Sequence, residues 1–196
     1  GPEKLFEFLK ENRLRINILV NNAGIGYEGP VEGYTKKQID HMILLNIRAT
    51  TMLTVLLMPE LKSHGKSYIL NLSSFGGYLP TAYKSIYLAT KSYVFYFTRA
   101  LESELRGSAV KTCIATPSAV RTNPKTLDRI ARHGWFSKTS ALNPGEVAEE
   151  VLKGMFKGKR VIVPGKLTRI FFGAALFVPE GIILWLTRRI FKNYRQ

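Results

Sequence analysis

Tyr87 and Lys91 stand four residues apart in the helix-patterned stretch Ile86-Tyr87-Leu88-Ala89-Thr90-Lys91, so a phenol and an ammonium share one face. That pair is suited to proton transfer, because the positive charge favours phenolate and draws its pKa down from about 10. Ser74 lies 13 residues before Tyr87, just past the apolar run Ser67 to Leu72, and a hydroxyl there can hold a carbonyl oxygen. Ser73 competes for that role, and only the spacing selects Ser74. Asn46, in an apolar helical stretch, can satisfy buried backbone groups.

Bringing Asn46, Ser74 and Tyr87 together requires a layered scaffold. Short β-rich apolar runs alternate with longer helical stretches, which predicts a parallel sheet with crossover helices. The predicted strands are Ile16 to Asn21, Ser67 to Leu72, Val110 to Ala115 and Val161 to Val163, each nearly continuous in apolarity as strands covered on both faces should be. Helices are predicted over the run containing Leu5 to Leu14, from Lys36 to Met58 with Thr35 as N-cap, from Ser85 to Arg106, and from Pro144 to Phe156 with Asn143 as cap. Open α/β sheets gather their ligands at the carboxyl ends of the strands, which is where Ser74 falls.

The 196 residues are 45% hydrophobic and 22% charged, fit for one globular domain of the usual roughly 100 to 200 residues and unlike a disordered chain. A lone Cys113 and three scattered histidines, His41, His64 and His133, make no four-ligand metal set, so no metal is expected. The single thiol points to a reducing cytoplasm, and residues Glu3 to Arg15 lack the pattern of a signal peptide. The net charge is +15, of which +9 falls from Lys153 onward, where ten Lys and Arg face one acid. Inside that segment Ile170 to Leu186 is apolar, preceded by Arg169 and followed by Arg188, Arg189 and Lys192. Pro179 and Glu180 interrupt it, so it reads either as a packed C-terminal helix or as a helix lying on an anionic membrane surface, rather than as a span. No recognition motif supports nucleic acid as a partner.

With Asn21-Asn22-Ala23-Gly24 after the first strand, Asn46, Ser74, Tyr87 and Lys91, and Pro117 and Thr122 after the third, the sequence resembles the short-chain dehydrogenase/reductase family. The resemblance implies a three-layer Rossmann-like parallel sheet with helices on both faces, and a hydride-transfer enzyme using NAD or NADP on a lipophilic secondary alcohol or ketone. Tyr87 would be the general acid/base and Ser74 would hold the reacting oxygen. Lys91 would lower the Tyr87 pKa and bind the nicotinamide ribose, and Asn46 would hold a water leading from Lys91 to solvent. Asn21, Asn22, Ala23 and Gly24 would line the adenosine side and tie the central strands. Pro117, Val120 and Thr122 would meet the nicotinamide. Tyr78 and Tyr83 would line the substrate entrance, and Trp135, Phe136, Phe171, Phe172 and Trp185 would form an apolar lid or membrane foot. Members commonly pair through the helices that carry Asn46 and Tyr87, which implies a homo-oligomer.

Two departures stand out. The family pattern places a strand, a glycine-rich turn and further strands before Asn-Asn-Ala-Gly, whereas here that motif begins at Asn21. The stretch therefore reads as residues 1–166 of a partial catalytic domain, lacking the first strands and the glycine-rich turn, followed by a basic, apolar tail at 167–196. Weak cofactor binding and an exposed first-strand edge are expected. An interaction protein using that edge, or the tail, is the alternative to an enzyme. Second, Ser118 follows Pro117 where the family usually has glycine, which predicts a differently shaped loop over the nicotinamide.

Overall fold

The computed structural model describes residues 1–132, 134–175 and 177–190. His133, Leu176 and 191–196, with Lys192, lie outside the described residues. Four parallel strands, β1 (Ile18–Asn21), β2 (Ser67–Leu72), β3 (Val110–Ala115) and β4 (Val161–Ile162), form one sheet in the order β1-β2-β3-β4. Each predicted strand is present, with β1 beginning two residues late and β4 shorter by one.

The helices are α1 (Pro2–Glu11), α2 (Lys36–Met42), α3 (Thr50–Ser63), α4 (Ser85–Glu104), α5 (Pro124–Arg132), α6 (Gly134–Ser140), α7 (Pro144–Phe156), α8 (Lys166–Ala175) and α9 (Glu180–Ile190). Thr35 caps α2, its Oγ1 accepting from the Gln38 N–H at 3.2 Å, while Gln38 Oε1 accepts from the Thr35 N–H at 2.9 Å. The segment Ile43–Ala49 between α2 and α3 is π-helical and carries Asn46. The helix continues beyond Met58 with Pro59 inside it. Pro59 is exposed, as is Val55 one turn earlier, so the missing hydrogen bond falls on the solvent side.

Helices cover both faces of the sheet, giving three layers. On one side Leu57 and Leu61 of α3 and Leu101 of α4 pack with Leu19, Ile69 and Val110, and Phe6 and Leu9 of α1 join them. On the other, Val147, Val151 and Met155 of α7 pack on Tyr68, Leu70, Cys113, Ala115 and Ile162. Burial pushes the Cys113 thiol up to about 12, so it serves as a small core hydrophobe. Strand β1 is covered on one face only: Leu19 is buried, while Ile18 and Val20 remain 37% and 45% exposed.

The sequence groups α8 with the tail, but it packs onto the body. Thr168 is fully buried, Phe172 joins Val94, Phe95 and Ile114, and Arg169 pairs with Glu150 of α7. Helix α9 buries none of its residues, and Phe177 before it is 87% exposed.

Candidate active site

The carboxyl ends of β1, β2 and β3 open onto one patch, where α4 presents Tyr87 and Lys91. Ser74 stands beside the Tyr87 hydroxyl and favours its ionised form. Ser73 is committed elsewhere: its buried hydroxyl donates to the Lys91 carbonyl at 2.7 Å, fastening α4 to the end of β2. Consecutive residues leaving a strand point to opposite sides, so Ser73 serves the core and Ser74 the patch.

Lys91 is 5% exposed, and its Nζ donates to the Leu72 carbonyl at 2.9 Å. Burial lowers its pKa to about 8. The Tyr87 phenol is shifted up by burial, opposed first by the Arg129 guanidinium and then by the Ser74 hydroxyl. Arg129 lies in α5, 42 positions beyond Tyr87 and with no motif to mark it. Glu28 and Lys84, also unmarked, form a largely buried ion pair at 3.1 Å. The Lys84 pKa is lowered by burial, with Glu28 opposing the shift.

The loop after β1 lies against this group. A Cβ on Gly24 would come within 3.0 Å of Lys91 Nζ and 3.2 Å of Asn46 Oδ1. One on Gly26 would lie 2.7 to 3.0 Å from three atoms of the Tyr87 ring. Glycine is required at Gly26 for this contact. Asn46 clamps the loop from below: its Nδ2 donates to the Ile25 carbonyl and to Thr90 Oγ1, both at 2.8 Å, and its Oδ1 accepts from the Ile25 N–H at 2.9 Å. The π-helical segment supplies the local widening at which Asn46 reaches the loop. The carboxamide thus fixes backbone on one side and the turn preceding Lys91 on the other.

Asn21 points away from the patch. Its Nδ2 donates to Asn71 Oδ1 at 2.8 Å and to Thr54 Oγ1 at 3.3 Å, and Asn71 Nδ2 donates to Thr98 Oγ1 at 2.8 Å. All four side chains are buried, tying β1 and β2 to α3 and α4. Asn22, Ala23 and Gly24 are exposed at the patch. Beyond β3, the Pro117 carbonyl accepts from the Phe75 N–H at 2.8 Å, and Val120 bridges to Leu142. Thr122 is exposed, its N–H donating to the Val120 carbonyl at 2.9 Å. Ser118 does not take a positive φ, and its hydroxyl meets Ser140 Oγ at 2.8 Å, so serine sits here without backbone strain. Tyr83 does carry a positive φ of 63°, immediately before Lys84, and its carbonyl accepts from the Gly29 N–H at 2.8 Å.

An aromatic group adjoins Ser74. Phe75 lies 5.7 Å from Phe136 of α6 and 6.4 Å from Phe172 of α8, and Phe136 meets Phe171 at 4.7 Å. Tyr78 packs on Phe172 at 4.8 Å and Phe95 at 5.6 Å. Trp135 and Trp185 are exposed and take no part in these contacts.

Residues 2–130 match the pattern of the family described as short chain dehydrogenase. The chain belongs to that family. The short-chain dehydrogenases it resembles include ketoacyl reductase HetN of Nostoc sp., 33% identical over 140 residues, covering 71% of this chain and 48% of that protein. Human very-long-chain 3-oxoacyl-CoA reductase is 37% identical over 113 residues, covering 56% of this chain and 36% of that protein. Among solved structures, a short-chain dehydrogenase from Sphingobium yanoikuyae in complex with NADPH aligns with a TM-score of 0.72 and 26% identity, over 91% of this chain and 72% of that one. The chain therefore spans about half or less of the length of these curated relatives.

Proposed function

We propose that this chain carries the catalytic centre of an NAD- or NADP-dependent oxidoreductase that interconverts a ketone and a secondary alcohol. The observation that carries this reading is the meeting of Ser74 and Tyr87 with buried Lys91 at one patch, where a Cβ on Gly26 would touch the Tyr87 ring and one on Gly24 the Lys91 ammonium. Such a group fits a reacting oxygen better than a docking surface, which favours the enzyme over the interaction protein.

The residues fit the nicotinamide end of the cofactor. Lys91 Nζ lies directly under Gly24 in a cradle that any side chain at that position would fill. Lys91 and the exposed Asn22 to Gly24 backbone would hold the ribose side, and Pro117, Val120 and Thr122 the ring side. When bound, the nicotinamide supplies or accepts the hydride. Tyr87, with its pKa raised by burial, is protonated at neutral pH and is the group that hands a proton to a carbonyl oxygen. Ser74 holds that oxygen as charge builds on it, and Arg129 favours the phenolate left behind.

A 3-oxoacyl thioester is the substrate class we favour. The relatives named ketoacyl and 3-oxoacyl-CoA reductases support it, as does the apolar wall of Phe75, Phe136, Phe171 and Phe172 beside Ser74. We further assign α9 to an anionic membrane surface on the cytoplasmic side. The outward faces of the helices around Asn46 and Tyr87, with exposed Leu44, Val55, Tyr93 and Tyr96, are assigned to pairing with a second copy.

Reduction of 3-oxoacyl-CoA substrates of increasing chain length, with NADPH and NADH compared, tests the reading. Tyr87→Phe should lower kcat by about 10²- to 10⁴-fold while leaving cofactor affinity unchanged, the range of a lost general acid. Equal turnover by the variant would refute it.

A further inference from the structure

Strand β4 begins at Val161, opposite Ile114, so β3 from Val110 to Cys113 has no strand beside it on that side. The ends of α4 and α7 straddle this gap and enclose a cavity of about 440 Å³, within the range of small-molecule sites. It lies at the amino ends of the strands, on the opposite side of the sheet from Tyr87 and Ser74. Six cations line it: Lys66, Arg106, Lys111, Lys157, Lys159 and Arg160.

One carboxylate, Glu102, shares the wall, and it is already paired with Arg99 and, at 2.8 Å, with Arg160. No acid among the described residues lies within ion-pair distance of the other five cations. These exposed cations make the rim of the cavity strongly positive, which favours a bound anion. Lys111 leaves β3 on the face that α7 covers, as Cys113 does, and so enters the cavity from the side of Phe156 and Lys157. Half-exposed Phe156, packed edge-on against Tyr68 at 5.3 Å, adds an apolar surface.

We propose that this cavity is a second ligand site, which binds the phosphate of a soluble organic phosphate between Lys111, Lys159 and Arg106. The apolar part of the ligand rests on Phe156.

Inorganic pyrophosphate is the probe, titrated calorimetrically into the chain at constant ionic strength. Saturable one-site binding is expected. The Lys111→Gln/Lys159→Gln double variant should weaken it about tenfold or more through loss of charge-assisted hydrogen bonds. Absence of saturation up to about 10 mM, or an affinity unchanged in the double variant, would overturn the site. Flotation with phosphatidylglycerol vesicles separates the two sources of phosphate. The double variant should float like the parent chain. If it no longer floats, the cavity belongs to a membrane surface and the soluble-ligand proposal falls.

Discussion

Lys91 is 5% exposed, its ammonium donates to the Leu72 carbonyl, and burial brings its pKa to about 8. The unfolded chain binds that proton up to about 10.5. Below about pH 8 both states are protonated, so the folded protein bears the full penalty of a buried charge. Between about 8 and 10.5 the unfolded state holds more protons, and stability should rise with pH on account of this residue. Urea unfolding from pH 7 to 10 measures the rise, and Lys91→Met should flatten it. An equal slope in the variant would assign the rise to other groups. The same pKa makes the Lys91 charge titratable close to working pH, so a bound cofactor would face an ammonium at neutrality and a partly neutral amine above it.

At the scale of elements, the loop between Gly24 and Gly29 and helix α4 act as one unit. The Gly26 backbone lies on the face of the Tyr87 ring, Asn46 clamps Ile25, Glu28 pairs with Lys84, and Gly29 bonds to the Tyr83 carbonyl. Gly26→Ala would force the ring or the loop to move by several tenths of an ångström. It should lower kcat about tenfold or more by misplacing the phenol, with KM changed less. Steady-state kinetics beside a thermal melt would check this, and an unaltered kcat in a folded variant would sink it. The strands and the helices α1 to α4 and α7 were legible from apolar runs and caps because burial and local hydrogen bonding leave their marks within a few residues, whereas α5 and α6 were not expected. Ser74, Tyr87 and Lys91 were singled out by spacing, and Asn46 by the resemblance to the family pattern. Arg129, Glu28 and Lys84 were not, since nothing local distinguishes a cation turned towards Tyr87 from one on a solvated helix face. The choice of Ser74 over Ser73 needed the direction in which each side chain leaves the strand.

For the whole molecule, position along the chain was a poor guide to where charge collects. Counting by sequence assigns most of the +15 to the last segment, yet folding joins its Lys157, Lys159 and Arg160 to Lys66, Arg106 and Lys111 from three other places. What remains at the far end is α9, which presents Ile182, Trp185, Leu186 and Ile190 to solvent beside Arg188 and Arg189. Apolar residues with flanking cations suit the interface of an anionic bilayer. The full chain should float with phosphatidylglycerol vesicles, and Ile182→Glu/Trp185→Glu should abolish flotation with secondary structure intact. Equal flotation would remove α9 as the contact. The stretch Lys36–Ser63 is long and apolar enough to cross a membrane, and its Leu57 and Leu61 pack against the sheet.

The buried amides have a consequence for assembly of the sheet. Asn21 and Asn71 are direct neighbours across β1 and β2, and each sits where its strand ends. Sliding β1 by two residues would keep the same apolar face inward and cost little in oily contact, so hydrophobicity alone cannot index the strands. It would, however, set Leu19 or a loop residue against Asn71 and strand an amide away from water, at about 1 to 3 kcal/mol for each unpaired group. The pair therefore works as a ruler. It sets how far each strand runs before releasing its loop, and so the height at which Gly24 and Ser74 emerge beside each other.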